Sequence, residues 1–95
     1  MAAYIIVQVD VKDPETYDAY RKQVLPTIEA FGGEFVVRGG AQEVLEGEWP
    51  YPRCVVLKFK DAATAKAWHS SDLYAPLLKM RQSASKGNMI VVDGV

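Results

Sequence analysis

Residues 39–59 have the sequence GGAQEVLEGEWPYPRCVVLKF and lie between two halves of the chain with similar patterns. The segment begins with a glycine pair and an acidic turn that contains Trp49, and the prolines that follow cannot donate hydrogen bonds to a strand. Residues 53–60 come next, and their β-branched and apolar composition is typical of a strand. The chain before this loop has the pattern strand, helix, strand, and the chain after the new strand has helix, strand. Together they predict the order βαββαβ.

The first half of the chain contains residues that are typical of the beginning and the end of a helix. Residues 4–11 alternate so that one face of the predicted strand is wholly apolar and the other is mixed. Asp13-Pro14 suits the start of a helix and Gly32-Gly33 suits its end. Pro26 is expected to kink this helix or to begin a new segment, because proline lacks a backbone donor. A second strand is predicted over residues 34–38, and residues 42–45 are a candidate for a short extra strand.

The second half repeats this plan with a divided helix. Asp61 can cap a helix over residues 62–69, and residues 70–72 offer a cap for a further segment that includes residues 73–81. Gly87-Asn88 is predicted to end that segment, and residues 89–95 to form the last strand. Right-handed crossovers place both helices on the same face of the sheet. The prediction is an α+β, ferredoxin-like antiparallel sheet with two helices on one face, and residues 1–95 suffice for one such domain.

The other face of the predicted sheet has no helix to cover it. Its side chains are expected to be Ile6, Gln8, Val36 and Arg38, with some of residues 54, 56 and 58. An apolar patch of this size seldom stays exposed on a soluble monomer. We therefore expect a two-fold homodimer in which two sheets face each other.

Composition disfavours several classes of protein. The net charge of −1 argues against a dedicated nucleic-acid binder, and the apolar runs are too short to cross a bilayer. No signal peptide is evident and a single cysteine permits no internal disulfide, so a cytoplasmic location is the expectation. One Cys and one His cannot form a structural zinc site, and nucleotide-binding glycine motifs are missing. We expect neither a metal nor an organic cofactor.

A series of short motifs occurs in a fixed order along the chain. They are Asp13-Pro14-Glu15, Phe31-Gly32-Gly33, Val37-Arg38-Gly39-Gly40, Leu45-Glu46-Gly47, and Ser71 with Tyr74 and Arg81. In this combination the chain closely resembles domain-of-unknown-function family 1330 of the dimeric α–β barrel superfamily. The resemblance implies a ferredoxin-like protomer and a homodimer with a barrel between its sheets, and it implies no established activity.

Relatives in that wider superfamily include cofactor-free monooxygenases, haem-degrading enzymes, muconolactone isomerases and stress-responsive proteins. His69 departs from the family's pattern, which more often has an aromatic residue such as Tyr at this place. It is the only histidine of the chain and could act as a proton shuttle or as an axial haem ligand beside Trp68. The alternative is a half-buried histidine at a helix C-terminus, where a positive imidazole is stabilised.

The remaining candidates are cationic and aromatic side chains. Arg38 or Arg53 could bind the carboxylate of a ligand through the planar guanidinium, or could pair with Glu46 and stabilise the turn or the dimer. Trp49 could anchor the partner protomer or stack on a ligand. Tyr74 and Arg81 are two helical turns apart and share a face, so they could line a pocket, or serve only packing and a surface ion pair.

These residues predict a site for a small molecule beside the sheet. The ligand would be a carboxylate- or carbonyl-bearing compound, aromatic in one version of the hypothesis, bound among Arg38, Arg53, Trp68, His69 and Tyr74. Whether a reaction follows is left open by the sequence. The alternatives are a non-catalytic dimeric interaction module and a cofactor-free or haem-handling monooxygenase.

Overall fold

A computed structural model describes residues 1–95 as four strands and three helices. The elements are β1 (Ala3–Val11), α1 (Pro14–Ala30), β2 (Glu34–Arg38), β3 (Arg53–Phe59), α2 (Ala62–His69), α3 (Ala75–Ala84) and β4 (Ser85–Asp93). The strand order is β2-β3-β1-β4, and every neighbouring pair is antiparallel. The predicted ferredoxin-like α+β fold is confirmed, with the second helix divided into α2 and α3.

Aspartate side chains begin two of the helices as predicted. Asp13 accepts a hydrogen bond from the Thr16 backbone N–H at 3.2 Å, and Asp61 accepts one from the Thr64 N–H at 2.7 Å. Each bond satisfies a backbone donor that has no partner within the first turn. Of the two outcomes expected at Pro26, a new segment does not occur. The proline ring is exposed, and α1 continues through it to Ala30.

The last strand begins earlier than predicted. α3 passes directly into β4 at Ser85, so Gly87 lies inside the strand and pairs with Val9 of β1. A Cβ at Gly87 would lie 2.7 Å from Val9 Cγ1, which shows that glycine here permits close strand contact. The expectation that Gly87-Asn88 ends a helix was therefore wrong. Residues 42–45 form no strand either.

The core lies between one face of the sheet and the three helices. The apolar face of β1 is buried, together with Leu57 and Phe59 of β3. The largest helical side chain in the core is Trp68, which is 1% exposed and donates its indole N–H to the Thr27 hydroxyl at 3.1 Å. This bond joins α1 to α2 inside the core.

A β-bulge in β2 changes which side chains face the helices. Phe35 pairs with Leu57, but the next pairs are Val37 with Val56 and Arg38 with Val55. Val36 is the extra residue, and a shift of one residue moves the following side chains to the opposite face. Arg38 therefore shares the helix-covered face with Phe35, and the expectation that it lies on the bare face was wrong.

The bare face has an apolar centre. Val37, Val56, Ile6 and Ile90 lie side by side across the four strands, and we call them the apolar row. Val37 is 37% exposed and Ile90 is 56% exposed. On one side of the row, Asn88 donates to Gln8 at 3.3 Å. None of the three helices has the length and apolarity that crossing a membrane requires.

Candidate functional site

A cleft lies between α1 and the helix-covered face of the sheet. Its aromatic walls are Tyr17, Tyr20, Phe35 and Trp68. Four arginines also line it, Arg21, Arg38, Arg53 and Arg81, and we call this space the arginine cleft. The cleft has a volume of about 30 Å³, which is room for roughly two water molecules.

No acidic side chain lines the arginine cleft. The three ion pairs of the protein join Lys12 to Asp10 and join Arg21 and Lys22 to Asp18, all with exposed side chains. The other three arginines of the cleft have no carboxylate within ion-pair distance. The cleft therefore has an uncompensated positive charge. The structure contains no cluster of three or more His, Cys, Asp or Glu side chains that could hold a metal ion.

Arg81 is the most buried of these cations. It lies in the last turn of α3, is 8% exposed, and donates from Nε to the Tyr74 hydroxyl at 3.3 Å. The Tyr74 hydroxyl is 2.9 Å from that of Tyr20. Burial, with a smaller effect of Tyr74, raises the pKa of the Tyr20 hydroxyl well above its ordinary value. Tyr20 is thus a neutral hydrogen-bonding group at neutral pH.

Arg53 enters the cleft from the first position of β3. Its Nε is buried without a hydrogen-bond partner, and its guanidinium carbon lies 5.6 Å from the centre of the Tyr17 ring. Gly39 leaves the room that this side chain occupies. A Cβ at Gly39 would lie 2.6 Å from Arg53 Cζ, and the backbone there has a positive φ of 68°. Glycine at this position therefore permits the observed position of the guanidinium.

Arg38 lies at the open mouth of the cleft. It donates to the backbone carbonyl of Arg21 at 3.1 Å, and its guanidinium carbon lies 4.3 Å from the centre of the Phe35 ring. Stacking on an aromatic face holds a guanidinium in place without using its other donors. Both Arg38 and Arg21 are exposed, so they form the side of the cleft that opens to solvent.

The structure brings together four of the ligand-binding candidates predicted from the sequence. Arg38, Arg53, Trp68 and Arg81 line the cleft, and Tyr74 lies directly behind it through its bond to Arg81. The four lining residues come from β2, β3, α2 and α3, so helical spacing alone could not predict that they lie close together.

His69 is not brought into the arginine cleft. It lines a separate groove of about 350 Å³ between α2 and β4, where Lys66 and Ile90 are among its neighbours. Successive residues of an α-helix point in directions about 100° apart, so Trp68 faces the core while His69 faces the groove. The ring of His69 lies 6.4 Å from the ring of Trp68.

Glu46 and Trp49 lie in the exposed loop between β2 and β3. They line a shallow depression together with residues 42–45 of the same loop. The structure does not bring Glu46 into ion-pair distance of Arg38 or Arg53. Neither loop residue lines the arginine cleft.

Three residues of the cleft, Tyr17, Tyr20 and Arg21, are not among the site residues predicted from the sequence. All three line the cleft. The available signal was their spacing on α1, since residues three and four positions apart share one face of a helix.

The family model for DUF1330, a domain of unknown function, matches residues 2–95. The chain belongs to the DUF1330 family. This confirms the resemblance in the sequence motifs. A comparison with curated proteins finds no match.

Solved structures share the fold of this DUF1330 chain. A protein of unknown function from Rhodopseudomonas palustris aligns with a TM-score of 0.80 at 20% identity, over 99% of this chain and 82% of that one. SnoaB, a cofactor-independent oxygenase from Streptomyces nogalater, aligns with a TM-score of 0.67 at 11% identity, over 99% and 93%. A dimeric ferredoxin-like protein of unknown function from a Jannaschia species has a TM-score of 0.65 at 12% identity, over 99% and 100%. At these identities the likeness concerns the fold alone.

Proposed function

We propose that this DUF1330 protein binds a small carboxylate- or carbonyl-bearing molecule in the arginine cleft. The observation that supports this most directly is Arg81, a buried cation with no carboxylate partner. A buried, unpaired charge is unfavourable by several kcal/mol in general. An anionic ligand removes this penalty by supplying the missing counter-charge.

The chemistry of the walls narrows the class of ligand. Guanidinium groups bind carboxylates in a planar, two-pronged arrangement. The aromatic rings of Tyr17, Tyr20 and Trp68 favour a flat or aromatic ligand body. Sites for larger organic ligands have volumes of about 300–1,000 Å³, so the body of such a ligand needs Arg21 and Arg38 to swing outward. Side-chain movements of this kind are common on binding.

A thermal-shift series with carboxylates of increasing size tests the proposal. Formate, acetate, pyruvate and benzoate are added at matched ionic strength, because any ligand of the native state raises the melting temperature. We expect stabilisation by at least one of them, lost in Arg81→Gln and Arg53→Gln and kept in Lys79→Gln, an exposed charge outside the cleft. If none of the four acids stabilises the protein, the proposal fails and a non-catalytic interaction module is favoured.

We further propose that the apolar row is covered by a second copy of this chain. The Jannaschia protein of the same fold is described as dimeric. The row crosses the whole sheet, and a continuous exposed apolar patch is a typical interface feature. In a dimer with a two-fold axis through this surface, the apolar row of one protomer would contact the apolar row of its partner.

An oxygenase activity is the second candidate, and it rests on the fold shared with SnoaB, which is described as a cofactor-independent oxygenase. His69 provides the only imidazole and is partly accessible in its groove. Titration with hemin tests the haem-handling version of this idea. A Soret shift that disappears in His69→Ala supports it, and an unchanged Soret band excludes a role for His69 as a haem ligand.

A further inference from the structure

Three buried side chains form a hydrogen-bonded series that ends at the arginine cleft. Arg81 Nε donates to the Tyr74 hydroxyl at 3.3 Å, and the Tyr74 and Tyr20 hydroxyls are 2.9 Å apart. Tyr74 is completely buried, whereas Tyr20 lines the cleft. Arg81 and Tyr20 both line the cleft, and Tyr74 joins them from behind.

The hydrogen bond between the Tyr20 and Tyr74 hydroxyls can run in either direction, because each group is both a donor and an acceptor. Tyr74 is completely buried and its oxygen accepts from Arg81, whereas Tyr20 lines the cleft. With a ligand oxygen in the cleft, Tyr20 can donate to the ligand while Tyr74 donates to the Tyr20 oxygen. In that arrangement neither buried hydroxyl proton lacks an acceptor, which would otherwise cost about 1–3 kcal/mol.

We propose that Tyr20 donates a hydrogen bond to a ligand oxygen on an sp² carbon, and that this bond stabilises the oxygen as an anion. The preferred ligands are then phenols and enols, including the enol forms of carbonyl compounds, with Tyr74 as a positioning residue behind Tyr20. This inference rests on the proposed binding function of the arginine cleft. It adds the class of ionisable group that Tyr20 binds.

Two features of the site make Tyr20 a strong donor. Each bond in the series polarises the next, so the charge of Arg81 strengthens the hydrogen bond that Tyr20 donates to a bound acceptor. The burial that raises the pKa of Tyr20 also keeps its proton in place at neutral pH. Hydrogen-bond donors that are fixed in advance stabilise a developing oxyanion better than freely reorienting water does.

Two matched probes test this assignment by absorbance. 4-Hydroxy-3-nitrobenzoate has a carboxylate and a phenol whose ionised form absorbs visible light, and 3-nitrobenzoate lacks the phenol. Both are expected to stabilise the protein in thermal shift. The phenol of the bound hydroxy probe is expected to ionise at lower pH than in water, by about one pKa unit or roughly tenfold in its ionisation constant.

Variants separate the relay from a general charge effect. Tyr20→Phe is expected to abolish most of the shift while 3-nitrobenzoate still binds, and Tyr74→Phe to reduce it. Tyr51→Phe, outside the cleft, is the control and keeps the full shift. If the phenol of the bound hydroxy probe ionises at the same pH as in water, or if the full shift remains in Tyr20→Phe, the assignment of Tyr20 is wrong and the binding function still stands. Failure of both probes to bind overturns the binding function as well.

Discussion

Arg38 lies opposite Val55 on the β2–β3 ladder, and its guanidinium therefore reaches across to the backbone carbonyl of Arg21 on α1. Without the extra residue Val36, it would lie opposite Cys54 and face away from the helices. The bulge thus adds a cation to the arginine cleft and removes one from the bare face of the sheet. Bulges often redirect a side chain in this way beside binding sites.

Arg38→Gln is predicted to weaken binding of a carboxylate and to leave self-association unchanged. Loss of one charged hydrogen bond costs about 1.5–3 kcal/mol, which corresponds to a tenfold or larger rise in Kd. Isothermal titration with the best acid from the thermal-shift series measures the first effect, and sedimentation velocity measures the second. A variant with normal affinity but altered association would place Arg38 in an interface and contradict the register described here.

Val56→Asp is predicted to dissociate the proposed homodimer. Val56 occupies an inner position of the apolar row, beside Ile6 and Val37, and a charge there would be buried without a partner in a face-to-face dimer. Sedimentation equilibrium should show the mass of one chain for the variant and of two for the parent. Leu73→Asp is the control, since Leu73 is exposed and lies off the sheet. A parent protein that stays monomeric at high concentration would disprove the dimer directly.

Thr27→Val is predicted to destabilise the core by about 1–3 kcal/mol, because it leaves a buried donor without an acceptor. The donor is the indole N–H of Trp68, which bonds to the Thr27 hydroxyl at 3.1 Å. Thr27→Ser keeps the acceptor but removes a methyl group. Packing alone predicts that Val is the better replacement, whereas the hydrogen bond predicts that Ser is. Urea denaturation of the parent, Thr27→Val and Thr27→Ser measures which replacement is the less destabilising. A Val variant as stable as the parent would show that the hydrogen bond contributes little.

Much of the fold could be predicted because local patterns agreed with the tertiary structure. Alternation in β1 correctly predicted its buried face, and Asp13 and Asp61 correctly predicted two helix starts. Gly87 misled the prediction, because glycine is favoured both at helix ends and at close strand contacts, and only the position of Val9 decides between them.

The candidate site was harder to predict than the fold. Helical spacing could relate Tyr74 to Arg81, but the contact between Tyr74 and Tyr20 joins residues 54 positions apart. The face of Arg38 depended on a bulge at Val36 that no local preference indicates. His69 was grouped with Trp68 because they are adjacent in sequence, although adjacent helical residues point in different directions.

Gly33→Ala is predicted to destabilise the protein by about 1–3 kcal/mol through overpacking. An added Cβ would lie 2.6 Å from Phe59 Cε1 and 2.8 Å from Ile28 Cγ2, both of which belong to the core. Gly40→Ala provides the matched control, because a Cβ there meets no atom within 4 Å. Thermal unfolding should show a clear loss for the first variant and a change within about 0.5 kcal/mol for the second. Equal changes in the two variants would show that overpacking against Phe59 and Ile28 contributes little.

Stability is predicted to fall in acid partly through the two aspartates that cap helices. Hydrogen bonds from Thr64 lower the pKa of Asp61, and hydrogen bonds from Thr16 lower the pKa of Asp13. The folded state therefore takes up these protons only below the pH at which the unfolded chain does, about 3.9. The contribution of the two ionised aspartates to the free energy of unfolding is fully present above that pH. It is lost as the pH falls through the lowered pKa values of the folded state.

The double variant Asp13→Asn/Asp61→Asn tests this linkage, since asparagine can still cap a helix but does not titrate. Its melting temperature should lie below that of the parent at neutral pH, because the charged cap and its favourable interaction with the helix N-terminus are gone. The difference should shrink as the pH falls below about 4, where the parent's aspartates become protonated. Circular dichroism melts across this range measure both curves. Parallel curves would show that these carboxylates do not contribute to the acid sensitivity of the fold.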